Sequence, residues 1–192
     1  MLNHIFVSTD DNDINKLARN FDIQTIFRPK RLCTDNSTSE SALLHALDKI
    51  NNEYSLFPEI IVFLQATSPL RLNNDIDNAL KQFLMEKADS LFSVTKMDDL
   101  TIWQKKKNKW MSFNFDYKNR LIRQMMPPNY IENGSIYIFK PEILKKYNNR
   151  IGGKVIVYEM EFWQTWEIDS IKEIDLIEYY ILKYSLAQHK LN

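Results

Sequence analysis

EIIVFLQATSPLR, residues 59 to 71, sets an apolar run against an abrupt polar exit. Ile60 to Leu64 form a continuous apolar run of strand length. That is the pattern of a strand covered on both faces, as in a parallel sheet. Gln65, Ala66, Thr67, Ser68 and Pro69 follow as a short polar loop, and Arg71 closes it. A strand that ends this way either turns at the surface or delivers polar groups to a ligand.

Reading outward from this stretch, strands and helices alternate. HIFVSTDD gives a strand over Ile5 to Ser8 that turns polar at Thr9-Asp10-Asp11. Asp11 is placed to cap a helix whose Ile14, Leu17 and Ala18 share one inward face. QTIF is a second strand and runs into Arg28-Pro29, where the chain is biased to extended geometry and a polar loop begins. STSESALLHALDKI reads as a helix with an N-cap serine and with Leu43, Leu44 and Leu47 on one face. After the opening stretch, a helix is predicted from Asn73 to Lys87, with Ile76, Leu80, Phe83 and Leu84 inward. SLFSVTK is a strand. Thr101 to Phe115 reads as a two-stranded projection around Lys107-Asn108-Lys109. GSIYIFK and KVIVYEM are further strands, Pro141 suits a helix N1 position, and Ile171 to Leu186 forms a closing helix.

This alternation predicts one α/β domain over residues 1–192 with a mainly parallel sheet. Ligands of such sheets sit beyond the carboxyl ends of the strands. Thr9-Asp10, Arg28 and the Gln65–Arg71 loop all follow such ends, which predicts strand ends near Thr9, Phe27 and Gln65 side by side around one crevice.

Composition narrows the function classes. With 25 basic and 25 acidic residues the formal net charge is +0, which argues against a nucleic-acid partner. The basic run Lys105-Lys106-Lys107 reads as a solvated hairpin tip. Apolar runs are too short for a membrane span. One cysteine, Cys33, excludes an internal disulfide and, with no signal peptide, points to a reducing, cytoplasmic location.

WEIDS carries Glu167 and Asp169 two residues apart. In an extended segment that spacing puts both carboxylates on one side, a pair that suits Mg²⁺. The alternative is that Asp169 caps the closing helix. Gln65 could equally cap its neighbours, and Arg71 could be a surface residue.

FRPKRLCTDNSTSESALLHAL, FLQATSPLR, ENGSIYIF and WEIDSIKEID occur in this order. Together they resemble the acylneuraminate cytidylyltransferases, the synthetases of CMP-sialic and related nonulosonic acids, over nearly the whole chain. The resemblance implies a Rossmann-like nucleotide-diphospho-sugar transferase fold. It implies that Arg28 and Ser39 belong to a CTP site and that Gln65, Arg123 and Tyr137 belong to a sugar-acid site. Arg123 and Asp169 are then the catalytic candidates, and Glu167 and Asp169 the Mg²⁺ pair. Glutamate stands at 167 where the family has aspartate, so the carboxylate reaches further. Residues 97–131 match the family's dimerisation arm, which implies a homodimer.

The family also carries, ahead of the strand matching IFVSTDD, a first strand and a phosphate loop of the type A-R-G-G-S-K-G-I-P-x-K-N. The three glycines here, Gly134, Gly152 and Gly153, form no such loop. The resemblance therefore implies an N-terminally shortened member whose sheet lacks its first strand and whose transfer of CMP to a nonulosonic acid is impaired. The alternative is a non-catalytic homologue that binds a sugar acid or pairs with a complete subunit.

Overall fold

The computed structural model describes residues 2–97 and 100–184. They fall into two compact units. The first comprises the chain up to Val62 with Leu80–Leu91 and Ile138–Ile156. The second comprises Phe63–Ala79, Phe92–Tyr137 and the chain from Val157 onward. No helix among the described residues is long and apolar enough to cross a membrane.

The first unit opens with a strand–helix–strand turn: β1 (Phe6–Thr9), α1 (Asn12–Asn20) and β2 (Gln24–Phe27). β1 and β2 pair in parallel with Phe6 opposite Gln24 and Thr9 opposite Phe27. Asp11 caps α1 as predicted, its Oδ1 accepting from the N–H groups of Asp13 at 2.7 Å and Ile14 at 3.0 Å. The inward face is narrower than predicted. Ala18 is buried, whereas Ile14 and Leu17 are exposed. α2 (Ser39–Tyr54) is capped by Thr38 rather than a serine, the Thr38 Oγ1 accepting from Ser41 N at 3.2 Å. Leu47 is buried and Leu43 and Leu44 are half-buried. Pro141 opens α4 (Pro141–Tyr147), where its missing N–H needs no partner. Arg150 pairs with Glu40 of α2 at 2.8 Å.

The long apolar run forms β3 (Ile61–Leu64). With β4 (Ser90–Met97), β7 (Asn129–Phe139) and β8 (Val155–Met160) it makes a four-stranded sheet in the order β3-β7-β4-β8. Each of these strands has residues in both units. Neighbours so far apart in sequence require crossover connections, as an α/β fold supplies. β7 is interior, and Asn133 to Phe139 are seven consecutive buried residues. The expectation of one sheet with three adjacent strand ends is corrected here. β1 and β2 form a sheet of their own, so Thr9 and Phe27 end side by side while Gln65 leaves a strand of the other sheet. Among the described residues no strand pairs with both β1 and β3. α3 (Asp75–Met85) buries Leu80 and Phe83 but leaves Leu84 exposed, against the sequence reading.

In the second unit β5 (Trp103–Lys106) and β6 (Lys109–Ser112) form an antiparallel hairpin. Lys107 and Asn108 both take positive φ, 45° and 63°, as a two-residue hairpin turn requires. Asn114 ties the hairpin's base, accepting from Ile102 N and donating to Leu100 O, both at 2.8 Å. α5 (Ile174–Lys183) closes the described chain; its predicted last residues lie outside the described residues. It lays Tyr180 and Tyr184 against Trp163, with ring centroids 5.6 and 4.0 Å away.

Candidate functional site

The polar exit from β3 folds back as a tight loop. Ser68 N donates to Gln65 O at 3.3 Å, and Ser68 is fully buried. Arg71 is not a surface residue. Its Nη2 donates to Gln65 O at 2.9 Å and to Ser135 O at 3.0 Å. The guanidinium thus fixes the loop against β7 and is engaged by carbonyls. Burial lowers its pKa, with Asp75 acting in the opposite direction.

β7 receives this loop at Gly134. Its φ of +65° is left-handed, and it breaks the strand's alternation. A Cβ built there would lie 2.2 Å from Glu167 Oε1, 2.9 Å from Gln65 Oε1 and 3.0 Å from Ser68 Oγ. Only a glycine lets these three side chains close on the strand. Ser68 Oγ donates to Glu167 Oε1 at 2.9 Å, and Ile168 N donates to Thr67 O at 2.8 Å, so the loop and the WEIDS segment are held as one piece.

Upstream of WEIDS a 3-10 turn, Phe162–Thr165, buries Gln164. Its Nε2 donates to Leu70 O at 3.1 Å and to Asp75 Oδ2 at 2.7 Å, and its Oε1 accepts from Glu161 N at 3.0 Å. Asp75 Oδ1 accepts from Tyr158 OH at 3.1 Å. Burial, and then the Asp75 charge, push the Tyr158 phenol up to about 12.

Gln65 and Glu167 therefore meet at Gly134. Asp169, two residues beyond Glu167, is exposed, and it does not cap the closing helix. Ser170 instead caps the 3-10 turn Ile171–Glu173 that precedes that helix, with N–H and Oγ donating to Glu173 Oε2 at 2.6 Å each. Tyr137, on β7, is buried against Phe63, ring centroids 5.8 Å apart, and its OH donates to Glu132 Oε1 at 2.5 Å. Arg123 begins a 3-10 turn, and its side chain lies outside the described residues. Arg28 and Ser39 belong to the first unit. Arg28 is half-buried and donates through Nη2 to Ser8 O at 2.6 Å, at the end of β1. Ser39 is the first residue of α2.

Sequence reading missed Ser68, Glu132 and the role of Gly134. The pair Asn133-Gly134 inside a strand pattern was the available signal for a break in the ladder.

The two carboxylates bear on metal binding. Among the described residues no lysine or arginine forms an ion pair with Glu167 or Asp169. Among the described residues no third acidic, histidine or cysteine side chain completes a metal group with them. Two unneutralised carboxylates fit a hard dication that keeps its waters and takes further oxygens from phosphate.

The cytidylyltransferase family model matches residues 1–189. Post-translational flagellin modification protein B of Campylobacter coli is 25% identical over 193 residues, covering 97% of this chain and 80% of that protein. An N-acylneuraminate cytidylyltransferase of Oncorhynchus mykiss is 30% identical over 186 residues, covering 94% of this chain; the chain spans only 41% of that protein's length. Among solved structures, a CMP:2-keto-3-deoxy-manno-octonic acid synthetase complexed with CTP superposes with a TM-score of 0.62 at 11% identity, over 96% of this chain and 82% of that one. The 4-diphosphocytidyl-2C-methyl-D-erythritol synthase of Anaerococcus prevotii superposes with a TM-score of 0.59 at 14% identity, over 94% and 82%. At such identities the likeness is one of fold.

Proposed function

The chain belongs to the cytidylyltransferase family, and from that premise we propose that it transfers the cytidylyl group of CTP to a nonulosonic, sialic-type acid. The observation that carries the reading is the convergence of Gln65, Ser68 and Glu167 on Gly134, with Glu167 and Asp169 both lacking a cationic partner among the described residues. The name of the N-acylneuraminate relative supports a nonulosonic acid as acceptor.

In the reaction, the sugar acid's anomeric hydroxyl attacks the α-phosphorus of CTP. An oxygen–phosphorus bond forms, the bond from the α-phosphorus to the bridging oxygen breaks, pyrophosphate leaves, and the hydroxyl proton passes to solvent. Such transfers depend on positioning and charge neutralisation. Glu167 and Asp169 would hold Mg²⁺, which when bound neutralises phosphate charge and makes the hydroxyl more acidic. Ser68 fixes one oxygen of Glu167 before any ligand arrives. Gln65 offers its amide to the sugar acid, and Tyr137 walls the same side. Arg28 and Ser39 serve CTP, and Arg123 the sugar acid's carboxylate, for which a guanidinium fork is suited.

The test is pyrophosphate release from CTP and Mg²⁺ with a panel of sugar acids. Asp169→Asn should cut turnover by at least about a hundredfold with the fold retained by circular dichroism. Unchanged turnover in that variant removes Asp169 from the mechanism.

The same reading includes a homodimer formed through residues 97–131. Trp110, Phe113, Ile122 and Met125 are each 64–65% exposed, a concentration of large apolar groups that calls for a partner. Light scattering at micromolar concentration should give twice the chain mass; a strict monomer counts against the arm's role.

A further inference from the structure

We propose that Glu132 selects the sugar acid, by accepting a hydrogen bond from a hydroxyl or amide N–H of the bound sugar; this rests on the sugar-acid reading of the site. Glu132 and Tyr137 are five apart on β7, and in a regular strand they would face opposite sides. The left-handed Gly134 between them breaks that alternation, and the Tyr137 phenol meets Glu132 Oε1 at 2.5 Å. The tyrosine is buried while the glutamate is exposed, so a fixed group holds a carboxylate that solvent and ligand can reach.

A carboxylate accepts at both oxygens. Among the described residues Oε2 of Glu132 accepts no hydrogen bond. Metal binding does not account for it, since no three ligating side chains group together among the described residues. Nor does structure alone require the charge, because a neutral acceptor would satisfy the phenol equally. The position does suggest a ligand. Glu132 lies two residues from Gly134, on which Gln65, Ser68 and Glu167 close. A negative group there repels the sugar's own carboxylate, so it reads the neutral hydroxyl and amide end of the molecule. It thereby also fixes which way round the sugar enters.

The experiment measures binding of N-acetylneuraminic acid and of 3-deoxy-manno-octulosonic acid by calorimetry, beside pyrophosphate release, for the wild type, Glu132→Gln and Tyr137→Phe. Glu132→Gln should weaken sugar-acid binding roughly 10- to 100-fold, as loss of a charged hydrogen-bond acceptor does. The KM for CTP should move by less than about twofold. Tyr137→Phe should shift sugar binding in the same direction by a smaller factor, because the carboxylate is then present but unanchored. Melting curves establish that both variants fold. If the wild type binds sugar acid and releases pyrophosphate but Glu132→Gln matches it, the inference is overturned and the proposed reaction stands. If binding depends on Glu132 and no pyrophosphate is released, the inference stands and the reaction falls. If the KM for CTP rises as much as that for sugar, Glu132 is structural and the inference is overturned. If the wild type binds neither sugar, both are overturned.

Discussion

Ser68 Oγ lies 2.9 Å from Glu167 Oε1 and donates to it across 99 residues of chain. The serine is fully buried, so its hydroxyl has a fixed position, and it orients the carboxylate from behind. Groups that orient a metal ligand typically contribute 10- to 100-fold in metal affinity. If Glu167 holds Mg²⁺ as proposed, Ser68→Ala should raise the Mg²⁺ concentration for half-maximal pyrophosphate release by about that factor. An unchanged Mg²⁺ titration would show that Glu167 is placed by other means.

Gly134→Ala offers a steric check on the same site. The new methyl would stand 2.2 Å from Glu167 Oε1, and the backbone would hold alanine at a φ of +65°. The conformation alone costs about 1 kcal/mol or more. Glu167 and Gln65 must also move aside. Both the melting temperature and turnover should fall. A variant with wild-type melting and turnover would mean that the three side chains do not close on this strand.

Much of this arrangement was legible in the sequence, and the failures have physical causes. The apolar run Ile60 to Leu64, the Asp11 cap, Pro141 at a helix start and the turn at Lys107-Asn108 are local features, and local chemistry specifies them. The position of Arg71 was not legible, because its acceptor Ser135 is 64 residues away. Ile14, Leu17 and Leu84 have the spacing of an inward face yet are exposed, since periodicity marks an apolar stripe without saying what covers it. Asp169 and Ser170 are both capping residue types, and the backbone decided for Ser170. The Glu132–Tyr137 contact depends on a break at Gly134 that a regular strand pattern hides.

Gln164 links the β3 loop to the WEIDS segment through a single buried amide. Gln164→Leu would leave Leu70 O without that donor, and Asp75 Oδ2 with the hydrogen bond from Leu72 N alone. A buried acceptor left without its donor costs about 1–3 kcal/mol, and each kcal/mol lowers the melting temperature by roughly 2–4 °C in a chain of this size. Thermal denaturation should thus show a drop of several degrees. Gln164→Glu should be worse at neutral pH, because a second carboxylate then faces Asp75. Equal stability of both variants at all pH values would discount the network.

Asp89 gives a pH signature in the first unit. Its Oδ1 accepts from Lys140 Nζ at 2.6 Å and its Oδ2 from Lys154 N at 2.8 Å. The Lys140 hydrogen bond, and then the Lys154 N–H, lower its pKa below the ordinary 3.8. Asp89 in turn raises Lys140 above its ordinary 10.5. A lowered carboxylate stabilises the fold above its unfolded pKa, and that stabilisation disappears as pH falls through the folded value. A raised lysine stabilises below its unfolded pKa and ceases to do so as pH rises through the folded value. The pair therefore acts fully between the two ordinary values, 3.8 and 10.5. Asp89→Asn should melt below the wild type throughout that window. The gap should close below its acid edge as Asp89 takes up its proton, and above its alkaline edge as Lys140 loses one. Melting curves of both proteins across pH test this, and a gap that stays constant into acid would show that the Asp89 charge contributes nothing to the fold.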